Sequence, residues 1–200
     1  MTEAHLGRLL PACLHQAISD VLPQRLEYYE EWLSPDGLRD GSIGLAPVSA
    51  VLGFLRIEGD AYRTVTSRAG TLAADWTVAA LPLFQRRLGL SLPLSFRAQF
   101  ALRVTRRIVR AVLTSSSAST RVRRGKATLR IQASAFCAVR EPQRRPLCDF
   151  YAALAVETFR CFHVPAAARI ESCRATSGGP CVVVLEIGSA VREPQPALAA

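Results

Sequence analysis

Apolar positions recur every four residues along 95–113, "SFRAQFALRVTRRIVRAVL", where Phe96, Phe100, Val104, Ile108 and Val112 form one stripe. Side chains three and four apart share a helical face, so this stretch predicts an amphipathic helix. The same period predicts two helices within residues 5–33, the second opened by Pro23, whose fixed φ suits a first turn. It also predicts helix over 68–88 as far as Pro82, and over 147–162, "LCDFYAALAVETFRCF". "SPDG" at 34–37 reads as a turn, "RDGSIGLAP" as a connection and "TSSSAS" as a loop. "AVLGFLRIEGDAYRTVTS" predicts a β-hairpin turning at Gly59-Asp60, "ATLRIQAS" a strand, and "IESCRATSGGPCVVVLEI" a closing hairpin. Strands and helices are grouped rather than alternating, which predicts an α+β fold with an antiparallel sheet packed against helices. The expected organisation is an N-terminal helical extension over 1–40, a main domain over 41–190 and a tail over 191–200.

Charge changes the picture in one region. From Trp76 to Arg140 there is no Asp or Glu, while 13 of the 25 Lys and Arg fall there. Outside it, 12 basic residues face 16 acidic ones, so the whole net charge of +9 comes from the middle of the chain. Arg103, Arg106, Arg107 and Arg110 lie three and four apart on the strongest helix, and "RVRRGK" at 121–126 marks a basic turn. Such a patch is a solvated face or a surface for anions: ligand carboxylates, an acidic partner or an anionic membrane. No helix-turn-helix or aromatic–basic platform accompanies it, so nucleic acid is not expected. No uncharged run approaches the roughly 18–20 residues that span a bilayer. The start has no basic segment followed by an apolar run, and the chain reads as cytoplasmic.

In a reducing compartment six cysteines are thiols or metal ligands rather than disulfides. Cys173 and Cys181 flank the turn of the closing hairpin, and Cys148 opens a helix, where the dipole favours a thiolate. Residues i and i+2 share a strand face, so Glu171 can aim with Cys173. Three thiolates and a carboxylate suit a closed, structural zinc site. Inert core thiols are the alternative. Cys137 is the reserve fourth ligand, and Cys13 and Cys161 read as core thiols.

Over 125–187 the chain resembles the 4-vinyl reductase domain. That domain occurs alone in a bacteriochlorophyll biosynthesis protein and as the sensor of phenol- and xylene-responsive activators, and it shares its fold with TRAPP vesicle-tethering subunits. Cys148, Glu171, Cys173 and Cys181 match the family's order. In the aromatic-sensing members such residues hold zinc. One departure is that only Ser172 separates Glu171 from Cys173, where the family usually has two residues.

The resemblance implies helices and sheet enclosing an apolar cavity for aromatic molecules, and relatives that commonly pair. Trp76, Phe96, Phe100, Phe136 and Tyr151, with Phe84, Phe150 and Phe159, lie in the segments expected to surround it, although aromatics at helical spacing are also ordinary core. Enzyme machinery is not evident. The sequence has no dinucleotide, P-loop, HExxH or GxSxG motif, and His5, His15 and His163 are scattered. The expectation is a non-catalytic, zinc-stabilised domain that binds an aromatic or tetrapyrrole compound and pairs as a homodimer. Its rivals are an interaction scaffold, a signal-input subunit and, last, a vinyl reductase.

Overall fold

The computed structural model describes residues 6–188 apart from positions 114, 124 and 140, so the expected tail lies outside the described residues. The α+β architecture is as expected: four antiparallel strands with helices packed against them. The helices are α1 (Leu9–Val21), α2 (Leu26–Glu30), α3 (Pro35–Asp40), α4 (Leu45–Ile57), α5 (Asp60–Ala79), α6 (Leu83–Ser91) and α7 (Leu94–Val112). Strands β1 (Ser117–Arg123) and β2 (Lys126–Gln132) follow, then α8 (Asp149–Cys161), β3 (Ala166–Ser172), the short α9 (Arg174–Ser177) and β4 (Cys181–Ile187). The sheet order is β1-β2-β4-β3, so β4 is central and the two sequence hairpins lie side by side.

The segment expected to form a hairpin at Gly59-Asp60 is instead α4, a corner and α5. Val48, Val51, Leu52 and Leu55 are buried on one face of α4, and Tyr62, Val65, Thr66 and Ala69 continue that spacing in α5. The periodicity is helical, and Gly59 at φ 66° breaks the chain between two helices rather than between two strands. Near "SPDG" the turn lengthens into α3, with the Ser34 hydroxyl accepting the Gly37 amide at 3.2 Å. The expected loop at 114–119 carries the start of β1.

The expected N-terminal extension packs into the common core: Leu10, Cys13, Leu14, Ala17 and Ile18 of α1 are buried there. The centre of the fold is the α5–α8 pair. A Cβ on Gly70 would lie 2.2 Å from the Phe150 carbonyl oxygen, so only glycine allows the two backbones to come this close. Among the described residues, no helix is long and apolar enough to cross a membrane.

Candidate metal centre and adjoining cavity

Four sulfurs converge where the two hairpins meet the start of α8. Cys137 ends a single 3-10 turn after β2, Cys148 precedes the first residue of α8, Cys173 follows β3, and Cys181 opens β4. All four are buried, and their Sγ atoms lie within 4.8 Å of one another. Cys148 and Cys173 are 3.0 Å apart, Cys137 lies 3.2 Å from Cys148 and 3.4 Å from Cys173, and Cys181 is 3.5 Å from Cys137. These separations exclude a disulfide, whose sulfurs are about 2.05 Å apart. A tetrahedral Zn–S shell at about 2.3 Å places its sulfurs about 3.8 Å apart, so a small outward movement of each thiol accommodates the ion. The donor set fits such a metal.

Backbone amides complete the surroundings. Leu147 N–H donates to Cys173 Sγ at 3.3 Å, and Arg174 N–H to Cys181 Sγ at 3.4 Å. Outer hydrogen bonds of this kind orient ligands and stabilise negative sulfur. The thiol network is polarised. Bonds from Cys137, Cys148 and Cys181 hold the Cys173 thiol far below its ordinary range despite burial. Bonds to Cys137, Cys173 and Cys181, with burial, push Cys148 far above it.

Glu171 stands outside this cluster, exposed on β3. The physical reason is a β-bulge: Ile170 pairs with Val183 and Ser172 with Val182, so Glu171 is the extra residue. The bulge breaks the i, i+2 rule, and the chain turns Cys173 inward while Glu171 stays outside. The fourth sulfur belongs to Cys137, the reserve candidate. Of the other cysteines, Cys13 is buried, its thiol pushed up to about 12 by desolvation. Cys161 lies beside Asp75 and Glu157, at 3.5 and 3.8 Å. There Arg160 Nε grips both Glu157 oxygens at 2.7 and 2.9 Å, which already answers the buried carboxylate.

The expected pocket aromatics divide between core and surface. Phe136, Phe150 and Tyr151 form a fully buried stack with centroids 4.6–5.5 Å apart, and Phe159 is buried too. Phe100 packs edge-on against Phe162, while Trp76, Phe84 and Phe96 are exposed. None of them lines the cavity that adjoins the 143–149 segment. That cavity, about 980 Å³, opens between the α4–α5 corner, the 143–149 segment and β3.

Five arginines line it: Arg56, Arg63, Arg144, Arg145 and Arg169. Arg63 pairs with Asp149 at 3.2 Å and Arg145 with Asp60 at 2.8 Å. Arg56, Arg144 and Arg169 have no ion-pair partner among the described residues. Tyr62, Leu147, Ala152 and Ile170 supply apolar surface. Burial raises the Asp149 carboxyl, with Arg63 opposing it. No sequence motif announced this site, because its arginines come from four separate segments; the doublet at 144–145 is the nearest to a local signal.

The other expected positions lie apart from both sites. Arg103, Arg107 and Arg110 are exposed along α7 and Arg106 is half-exposed. His15 bonds Glu30 at 2.9 Å, and His163 takes φ 53° just beyond α8. His5 lies outside the described residues.

No family model matches the sequence, and no curated protein matches it. Among solved structures, the chain is similar to a trafficking protein particle complex subunit 3 from Naegleria fowleri covalently bound to palmitic acid, at 10% identity and a TM-score of 0.48, covering 92% of this chain and 98% of that one. It is also similar to an oxygen-binding H-NOX domain related to soluble guanylate cyclases, at 12% identity and a TM-score of 0.42, covering 92% and 96%.

Proposed function

We propose that this chain is a non-catalytic binding domain in which a four-thiolate zinc centre, Cys137, Cys148, Cys173 and Cys181, supports a site for an aromatic anion such as a carboxylated tetrapyrrole. The observation that carries the reading is the double anchorage of the 143–147 segment. On one side it reaches the cysteines, through Leu147 N–H to Cys173 Sγ at 3.3 Å and Gln143 N–H to the Ala175 carbonyl at 2.7 Å. On the other it forms a wall of the arginine-lined cavity. Four sulfurs with no open position favour a closed structural ion, and zinc suits them without redox chemistry.

Guanidinium groups stay protonated and bind carboxylates in pairs, so the cavity is equipped to hold an anion rather than to exchange protons with it. Its apolar patch offers an aromatic body something to lie against. The test is calorimetric titration of the metal-loaded protein with a porphyrin dicarboxylate and with its dimethyl ester. The acid should bind saturably and the ester poorly. Arg56→Gln with Arg169→Gln should weaken the acid by about tenfold or more, since a charge-assisted hydrogen bond contributes about 1.5–3 kcal/mol. Equal binding of acid and ester, or binding untouched by the arginine changes, would overturn the proposal. So would consumption of a nicotinamide cofactor with a vinyl substrate.

A further inference from the structure

Helix α6 presents its apolar side outward. At 3.6 residues per turn, Leu83, Phe84, Arg87, Leu88, Leu90 and Ser91 share one arc, and that arc is the exposed one. Leu83 is 69% exposed, Phe84 67% and Leu88 54%. The opposite side carries Gly89, packed so tightly that a Cβ would meet Phe100 and Phe162 at 3.0 Å. A surface helix ordinarily turns its apolar face to the core, so this outward apolar face marks a contact surface. Exposed neighbours extend the patch in sequence: Trp76 before the helix, Leu94 and Phe96 after it.

We propose that this face docks onto an anionic lipid surface. Charge complementarity selects the occupant. Arg87 lies within the apolar arc. Beyond Phe96, the exposed stripe of α7 continues as Gln99, Arg103, Arg107 and Arg110, with Arg106 at its edge. Residues 76–140 contain no Asp or Glu to neutralise them. None of these arginines has an ion-pair partner among the described residues. A second copy placed face to face would set arginine against arginine, with no carboxylate in this segment to answer it. An anionic bilayer answers both features, taking leucine and phenylalanine into its acyl boundary and arginine among its headgroups. Nine residues of helix span about 14 Å, so α6 lies in the interface and does not cross it.

The experiment is co-sedimentation of the full chain with vesicles of phosphatidylcholine alone and of phosphatidylcholine mixed with phosphatidylglycerol. Binding is expected only to the mixed vesicles. Phe84→Gln with Leu88→Gln should reduce it at least about tenfold, because the buried acyl-phase contact is lost. Arg103→Gln and Arg107→Gln should each reduce it about fivefold and flatten its salt dependence. All four side chains point to solvent, so the melting temperature should stay within a few degrees and report that the variants fold. Failure to bind mixed vesicles would overturn the proposal, as would equal binding to neutral ones or a Phe84→Gln/Leu88→Gln variant that binds normally. A solution dimer that this double variant dissolves, with no vesicle binding, would assign the face to a second copy instead.

Discussion

The Tyr62 hydroxyl on α5 donates to the carbonyl of Leu147, 85 residues further on, at 3.2 Å. Leu147 in turn gives its amide to Cys173 Sγ, so one buried phenol couples the arginine-lined cavity to the sulfur cluster. Desolvation raises the phenol well above its ordinary range, keeping it a hydrogen-bond donor at every physiological pH. Tyr62→Phe should cost about 1 kcal/mol in chemical denaturation. It should also quicken metal loss to a chelator, because Leu147, whose amide bonds Cys173 Sγ, loses the hydrogen bond that holds its carbonyl. Unchanged release would separate the cavity wall from the metal site.

Cys137 and Glu171 make opposite predictions for the fourth ligand. In protein purified under reducing conditions, elemental analysis should find one zinc per chain. Cys137→Ser should empty the site and lower stability by more than about 3 kcal/mol, as should Cys148→Ser. Glu171→Gln, an exposed change at the bulge, should leave both metal content and stability unaltered. The reverse result would restore the carboxylate as a ligand.

Acid should release the metal. Each ligand binds as a thiolate, so protons compete with the ion and the advantage passes to protons as pH falls. In the proposed centre, the stabilisation that a bound metal supplies should therefore be present at neutral pH and lost on the acid side. Thermal melts of loaded protein across a pH series should converge, in acid, on those of protein stripped by a chelator. Curves that stay apart throughout would argue against thiolate ligation.

The close passage of α5 and α8 is tested at a single atom. Gly70→Ala would place a methyl group 2.2 Å from the Phe150 carbonyl, and backbone must move to admit it. A loss of about 1–3 kcal/mol is expected by denaturant titration. Gly53→Ala is the contrast: its added Cβ has only an Arg56 nitrogen, at 3.7 Å, within reach. Within α4 that change should stabilise by about 0.5–1 kcal/mol, by restricting the unfolded chain.

Where local periodicity carried the information, the sequence by itself was sufficient. The four-residue stripe of α7, the helix following Cys148 and the hairpin bringing Cys173 near Cys181 are all legible from spacing, because each depends on residues within a few turns or one connection. The α4–α5 corner was legible in principle: its buried positions recur at three and four, but Gly59-Asp60 imitates a hairpin turn. Other features were decided only by the tertiary structure. A bulge of one residue leaves Glu171 outside the cluster, where the fourth sulfur is that of Cys137, and strand alternation contains no mark of that extra residue. The cavity draws its arginines from α4, α5, the 143–149 segment and β3, which meet only when the α4–α5 corner, the start of α8 and the sheet pack together. In α6 the side that packs inward is the one carrying Gly89, where a Cβ would meet Phe100 and Phe162 at 3.0 Å, and the helix's own apolar pattern gives no sign of this. Periodicity marks which side of an element is distinct, but long-range packing decides what that side meets.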